Sequence, residues 1–305
     1  MSAPAFAAAN GIRLCYETFG DPKNPPMVLI MGLAAQMILW EDEFCSRLAE
    51  RGFYVIRFDN RDIGLSTRFD KARTPRFAEM LFVHATRLRF RVPYTLHDMA
   101  KDTIGLFDAL GISNAHVVGA SMGGAIAQEL AIAFPQRLRS ITSIMSSTGD
   151  PKLPKPEPRA LARLGKNVPL DRDGYLREYV ATWSVLCGDH FPFDVERTLR
   201  NGAAGYERGI NPPGVARQLM AIVASGNRKK ALRGVRVPTL VIHGTADPLV
   251  PVAAGPDLAQ SIPGAGLLLI EGMGHSFPRE VWPRIIDAIA NHAAKAETTR
   301  TQTPA

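Results

Sequence analysis

Cysteine is scarce in this chain. Cys15, Cys45 and Cys187 are the whole set in 305 residues, odd in number and widely spaced. No CxxC pair or His/Cys cluster accompanies them, which argues against a disulfide framework and against a metal site. Long apolar runs are missing too: nothing approaches the ~18 consecutive apolar residues of a membrane-spanning helix. The first residues show no basic segment followed by an apolar stretch of secretory length. A cytoplasmic, soluble protein without integral membrane contact is the expectation. No internal repeat is visible, so stacked-repeat architectures are set aside.

Acidic residues are outnumbered, 29 against 36 Lys and Arg, for a net charge of +7. Part of the excess concentrates in residues 67–93, as Arg68, Lys71, Arg73, Arg76, Arg87, Arg89 and Arg91. Arg87, Arg89 and Arg91 alternate with apolar residues, as on a solvated face. No recognised nucleic-acid motif accompanies them, so no nucleic-acid partner is expected. Attraction of anionic substrates or lipid surfaces, a second lid over a site, and a contact within a homodimer remain open for this segment.

The chain is 46% hydrophobic, enough at this length to bury one large core. Apolar runs predict strands near 12–18, 27–31, 53–59, 115–120, 138–145, 237–243 and 266–270. Helical patterns fall between them, near 40–51, 96–110, 122–134, 253–262 and 279–293. Such alternation predicts an α/β protein with a mostly parallel sheet covered on both faces. The alternation breaks between residues 147 and 230. Residues 150–158 carry four prolines in nine positions, too many for a helix or a central strand. Amphipathic patterns follow at 159–165, 172–187, 194–208 and 212–225. The polar stretch 295–305 is expected to be disordered.

Between the apolar run His116-Val117-Val118 and a helical stretch beginning at Met122 stands Gly119-Ala120-Ser121-Met122-Gly123. Strand, sharp turn with serine, then helix is the setting of a G-x-S-x-G nucleophile elbow. The glycines leave room where side chains would strike the neighbouring strand and helix. A serine hydroxyl needs a histidine to take its proton and a carboxylate to orient that histidine. In this architecture they follow in the order acid, then histidine. Asp247 comes just after the strand 237–243, and His275 just after the strand 266–270. Both therefore leave carboxyl ends of strands, where open α/β sheets place their sites. Asp150 is the rival acid. His116 and His243 read as packed, and His84, His97, His190 and His292 fall in loops, helices or the inserted region. Two backbone amides are needed to hold an oxyanion. Met122, at the start of the helix, supplies one. The other falls to Leu33, since Gly32 permits the turn after the strand 27–31.

Ser121, Asp247 and His275 in these settings resemble the α/β-hydrolase superfamily, over nearly the whole chain. The run Asp59-Asn60-Arg61-Asp62-Ile63-Gly64-Leu65-Ser66 resembles that superfamily's D-x-R-x-x-G-x-S turn. A closer likeness, carried by Met31-Gly32, Asp59 to Ser66 and Gly272-Met273-Gly274-His275, is to bacterial aclacinomycin methylesterase-like carboxylesterases. The resemblance implies an eight-stranded, mostly parallel sheet formed by 1–146 and 231–294. It also implies that 147–230 forms a helical cap inserted after strand 6. Implied as well are hydrolysis of a small-molecule carboxylic ester without a cofactor or metal, and Leu33 and Met122 as oxyanion donors. A cap over Ser121 would bind the bulk of the substrate, with Gly32, Trp183, Phe191, Phe193, Tyr206 and Met220 as candidate pocket residues. Two departures bear on the substrate. Leu33 stands where the methylesterases have glycine, which narrows the acyl side, and 67–93 is longer. The same triad could serve a C–C bond, a thioester, a lactone or perhydrolysis, and a non-catalytic ligand-binding protein is the reading from another class. An aspartate nucleophile is disfavoured, because serine occupies the elbow.

Overall fold

A computed structural model describes residues 4–74 and 92–302, with side chains through Thr298. Arg76, His84, Arg87, Arg89 and Arg91 lie outside the described residues. The described strands are β1 (Ala5–Ala9), β2 (Ile12–Phe19), β3 (Pro26–Ile30), β4 (Tyr54–Phe58), β5 (Ala115–Ala120), β6 (Leu138–Ile144), β7 (Thr239–Gly244) and β8 (Gly266–Ile270). They form one sheet in the order β1-β2-β4-β3-β5-β6-β7-β8. β2 runs antiparallel to both neighbours, and every other pairing is parallel.

β1 is an addition to the strands read from the sequence. It joins β2 through Asn10-Gly11, both with positive φ (50° and 77°), the pairing that a two-residue hairpin demands. The central strands are buried on both faces, as parallel strands under helices must be. In β3, Val28 and Ile30 pack into one core while Met27 and Leu29 pack into the other. Outside the insertion the described helices include α1 (Asp42–Glu50), α2 (Leu96–Ala109), α3 (Met122–Ala133) and α9 (Ala254–Ser261), the last numbered after the inserted helices below. Thr95 and Asp98 form a reciprocal capping box that starts α2. The first core takes Met99 and Phe107 from α2, Ile126 from α3 and Leu258 from α9. The second takes Phe44 and Leu48 from α1, and Ile285 and Ile289 from the last helix, α10 (Trp282–Gln302).

Of the stretch 295–305 expected to be disordered, residues through 302 are described, and they continue α10 to Gln302. Ala296 is buried and Glu297 pairs with Arg139 of β6, so the chain has reason to stay helical beyond 293. No helix among the described residues is long and apolar enough to cross a membrane.

Between β6 and β7 lie α4 (Pro158–Leu164), α5 (Arg172–Leu186), α6 (Val195–Glu207), α7 (Pro212–Ser225) and the short α8 (Lys229–Leu232). Pro158 takes the first turn of α4, where its missing N–H is no loss. Asn211 caps α7 through the Gly214 amide. The same Asn211 donates from Nδ2 to the Asp62 carbonyl at 2.9 Å, which ties α7 to the turn after β4. Arg217 on α7 then grips the Asp62 carboxylate with two bonds, of 2.8 and 2.7 Å. The Tyr94 hydroxyl and the Phe69 amide also donate to this carboxylate, at 2.7 and 2.8 Å. Arg217 and Asp62 are almost wholly buried, at 1% and 0% side-chain exposure. Breaking such a pair from one side leaves a buried charge without its partner. Arg217→Met should therefore lower unfolding stability by ~3–5 kcal/mol. Urea denaturation checks this, and a loss below about 1 kcal/mol would contradict the role given to the pair.

Candidate active site

Ser121 stands between β5 and α3 with φ 55° and ψ −117°, a left-handed conformation that a non-glycine residue adopts only when held. Its amide donates to the Ile144 carbonyl of β6 at 2.9 Å, and its carbonyl accepts from Ala125 at 3.2 Å. The neighbouring glycines explain how the turn closes. A Cβ on Gly119 would fall on the Gly123 carbonyl, and a Cβ on Gly123 would fall on the Ile30 carbonyl of β3. Gly32 is a third close approach: a Cβ there would lie 3.1 Å from the Ser121 Cβ.

The structure brings the three sequence candidates together. His275 Nε2 lies 3.0 Å from Ser121 Oγ, and its Nδ1 lies 2.7 Å from Asp247 Oδ2. The other oxygen of Asp247 accepts from the Leu249 and Val250 amides at 2.9 and 2.8 Å, which leaves Oδ2 for the imidazole. With Nδ1–H donated to the carboxylate, Nε2 is bare and accepts the Ser121 hydroxyl. The histidine loop is fixed from the insertion, since the His275 amide donates to the Leu186 carbonyl of α5 at 2.7 Å. Asp150, the rival acid, instead accepts from the Lys152 amide and pairs with Lys229 at 3.4 Å.

His243, which reads from the sequence as a packed residue, is indeed fully buried, and it also bears on the site. Its Nε2–H donates to the Val250 carbonyl at 2.8 Å and sits 3.9 Å from Asp247 Oδ2. Burial holds its pKa below the ordinary histidine range, although the Val250 carbonyl and Asp247 pull the other way. Through Val250, whose amide in turn donates to Asp247, this ring ties β7 to the Asp247 loop.

Met122 is the first residue of α3, where an amide has no partner within the helix and faces the helix's positive end. Leu33 lies in the loop after β3, half-buried, with its side chain against the first core. The loop is braced by residues that sequence reasoning assigned no role. Asn60 Nδ2 donates to the Met31 carbonyl at 2.9 Å, and Asp59 Oδ1 accepts from the Met37 amide at 2.8 Å. Gln218 Oε1 accepts from the Ala34 amide at 3.1 Å.

Of the candidate pocket residues, Met220 lies on the buried side of α7 with no accessible surface. Trp183, Phe191, Phe193 and Tyr206 are half-buried. Trp183 packs with its ring tilted against Tyr179, centroids 6.0 Å apart, along α5. Tyr206 packs 5.4 Å from Tyr175 and donates its hydroxyl to the Leu170 carbonyl at 2.8 Å. Phe191 lies against the second core.

The fold that carries these residues has counterparts among known proteins. Residues 25–278 match the family model described as the alpha/beta hydrolase fold. The chain belongs to that family. Among α/β hydrolases it is similar to rhodomycin D methylesterase of Streptomyces sp. strain C5, 33% identical over 93% of this chain and 96% of the relative. The rhodomycin D methylesterase of Streptomyces peucetius is 32% identical over the same shares. These relatives agree with the likeness to methylesterases drawn from the motifs. In fold alone, the chain is similar to a meta-cleavage product hydrolase from Pseudomonas fluorescens IP01. That structure has a TM-score of 0.76 and 19% identity, over 96% of this chain and 98% of that one.

One pH effect follows from burial. His243 and His292 are both held below the ordinary histidine range, chiefly because burial takes the charged ring out of water. The unfolded chain then binds protons near pH ~6.5 that the folded chain refuses, so these groups lower stability as pH falls through that value. The double variant His243→Gln, His292→Gln should flatten the decline in stability below pH ~6.5, by at most ~1.4 kcal/mol per pH unit for each histidine. Chemical denaturation at several pH values measures the slope, and parallel slopes for the two proteins would contradict the assignment.

Proposed function

We propose that this α/β hydrolase cleaves small to medium carboxylic esters through an acyl-enzyme on Ser121. The observation that carries the proposal is the chain of two short contacts, 3.0 Å from Ser121 Oγ to His275 Nε2 and 2.7 Å from His275 Nδ1 to Asp247 Oδ2. A hydrolase acting on ester bonds is what the family and its methylesterase relatives support. The triad assignment and the substrate size are our own reading.

Ser121 Oγ attacks the ester carbonyl carbon while its proton passes to His275 Nε2. Asp247 stabilises the resulting imidazolium and keeps the ring oriented. The carbonyl oxygen becomes an oxyanion, and the Met122 and Leu33 amides donate to it. His275 then protonates the leaving alkoxide as the C–O bond breaks, which releases the alcohol. Water repeats the sequence on the acyl-enzyme, losing a proton to His275 and returning the acid and free Ser121. The inserted helices act as a cap that holds the substrate and excludes water, consistent with α5 touching the His275 loop through Leu186. A lactone is a cyclic ester and would follow the same steps. A relative 25% identical over 86% of each chain is named 3-oxoadipate enol-lactonase 2, from Acinetobacter baylyi, which makes lactones the second class to assay.

Hydrolysis of p-nitrophenyl esters from acetate to laurate tests the proposal. Ser121→Ala should lower kcat/KM by at least ~10³-fold. Asp247→Asn, which leaves the imidazole in the wrong tautomer, should lower kcat by about 10³–10⁴-fold with little change in KM. Turnover that survives Ser121→Ala would contradict the mechanism.

A further inference from the structure

The oxyanion loop leaves the sheet at Ile30, the last β3 residue paired to both β4 and β5. Beyond it the backbone has no ladder to hold it, and Ala34 takes φ 62°, a left-handed conformation unfavourable for alanine. The Leu33 amide belongs to the peptide joining Gly32 and Leu33. The peptide before it is anchored at the Met31 carbonyl by Asn60. The peptide after it is anchored at the Ala34 amide by Gln218. Because each peptide is planar, two fixed neighbours leave the donor peptide little freedom to rotate.

Gln218 is the anchor that comes from the insertion. It is fully buried, and both ends of its amide are engaged: Oε1 with the Ala34 amide at 3.1 Å and Nε2 with the Arg61 carbonyl at 2.8 Å. Its neighbour Arg217 locks α7 to Asp62, so the helix cannot turn to carry Gln218 away. Gly214, one turn earlier, has no room for a side chain against Asp62, which lets α7 lie flush on the turn. We infer that Gln218 is a positioning residue for the oxyanion hole: it aims the Leu33 amide from the inserted helices. The inference rests on the reading of Leu33 as an oxyanion donor. It assigns the insertion a part in stabilising the transition state as well as in covering the substrate.

The test compares wild type with Gln218→Met, which keeps the volume and loses both bonds, using p-nitrophenyl acetate and butyrate. Gln218→Asn, too short to reach both partners, carries the test if the methionine variant does not fold. The expected result is a fall in kcat of about 10–100-fold with KM within about twofold of wild type. Affinity for an aryl trifluoromethyl ketone, whose adduct on Ser121 places a negative oxygen in the hole, should fall by a similar factor. Wild-type kcat in the folded variant would overturn the inference, and so would a reduced kcat with unchanged affinity for the ketone. Should the wild type turn over no ester, the ester reading fails, and the ratio of ketone affinities still decides the role of Gln218.

Discussion

Everything at the site depends on one strained residue, Ser121, held at φ 55° between β5 and α3. Such a conformation costs ~1–3 kcal/mol and persists only where the surroundings dictate it. Here they do, through absent side chains at Gly119 and Gly123 and through the bond from the Ser121 amide to Ile144 of the neighbouring strand. One backbone conformation then fixes several things together. The serine stands at the carboxyl end of β5, the Met122 amide opens α3, and a side chain at Gly32, just beyond β3, would crowd the Ser121 Cβ. A substitution that filled either elbow glycine would move all three at once.

Around that point the structure uses buried charge to join two pieces of chain far apart in sequence. Asp59 and Asp62 sit in the turn after β4, both at 0% exposure, and each meets an arginine from the insertion: Arg208 for Asp59 and Arg217 for Asp62. The two carboxylates balance differently. Burial dominates at Asp59 and raises its pKa, with Arg208 and the Met37 and Leu65 amides opposing. At Asp62 burial also pushes upward, but Arg217, the Phe69 amide and the Tyr94 hydroxyl outweigh it, and the pKa is lowered. Buried pairs of this kind add little net stability, yet they penalise any misdocked arrangement that leaves one charge alone. The turn that receives the inserted helices also braces the loop after β3, through Asp59 and Asn60. Docking of the insertion and shape of that loop are thus set by the same few residues.

The elbow and its partners were legible because local pattern carries them. An apolar run, a glycine-flanked serine and a helix announce Ser121, and Asp247 and His275 each follow an apolar run. Contacts that cross the chain left no local trace. Gln218 lies 184 residues from Ala34, and in sequence it is only a polar residue amid the apolar stripe of α7. The burial of Met220 has the same origin, since periodicity marks an apolar face without saying what that face meets. β1 escapes a reading by pattern because Ala5–Ala9 is mostly alanine, a poor strand former, although Asn10-Gly11 is a readable hairpin signal. The extension of α10 depends on the burial of Ala296 and on Glu297 reaching Arg139 of β6, which composition does not foretell.

Labelling with a fluorophosphonate, followed by intact mass and peptide mapping, decides whether Ser121 is the nucleophile. One adduct per chain is expected, located on Ser121, with esterase turnover lost in proportion to labelling. An adduct on another residue, or full turnover by a protein that remains unlabelled at Ser121, would contradict it.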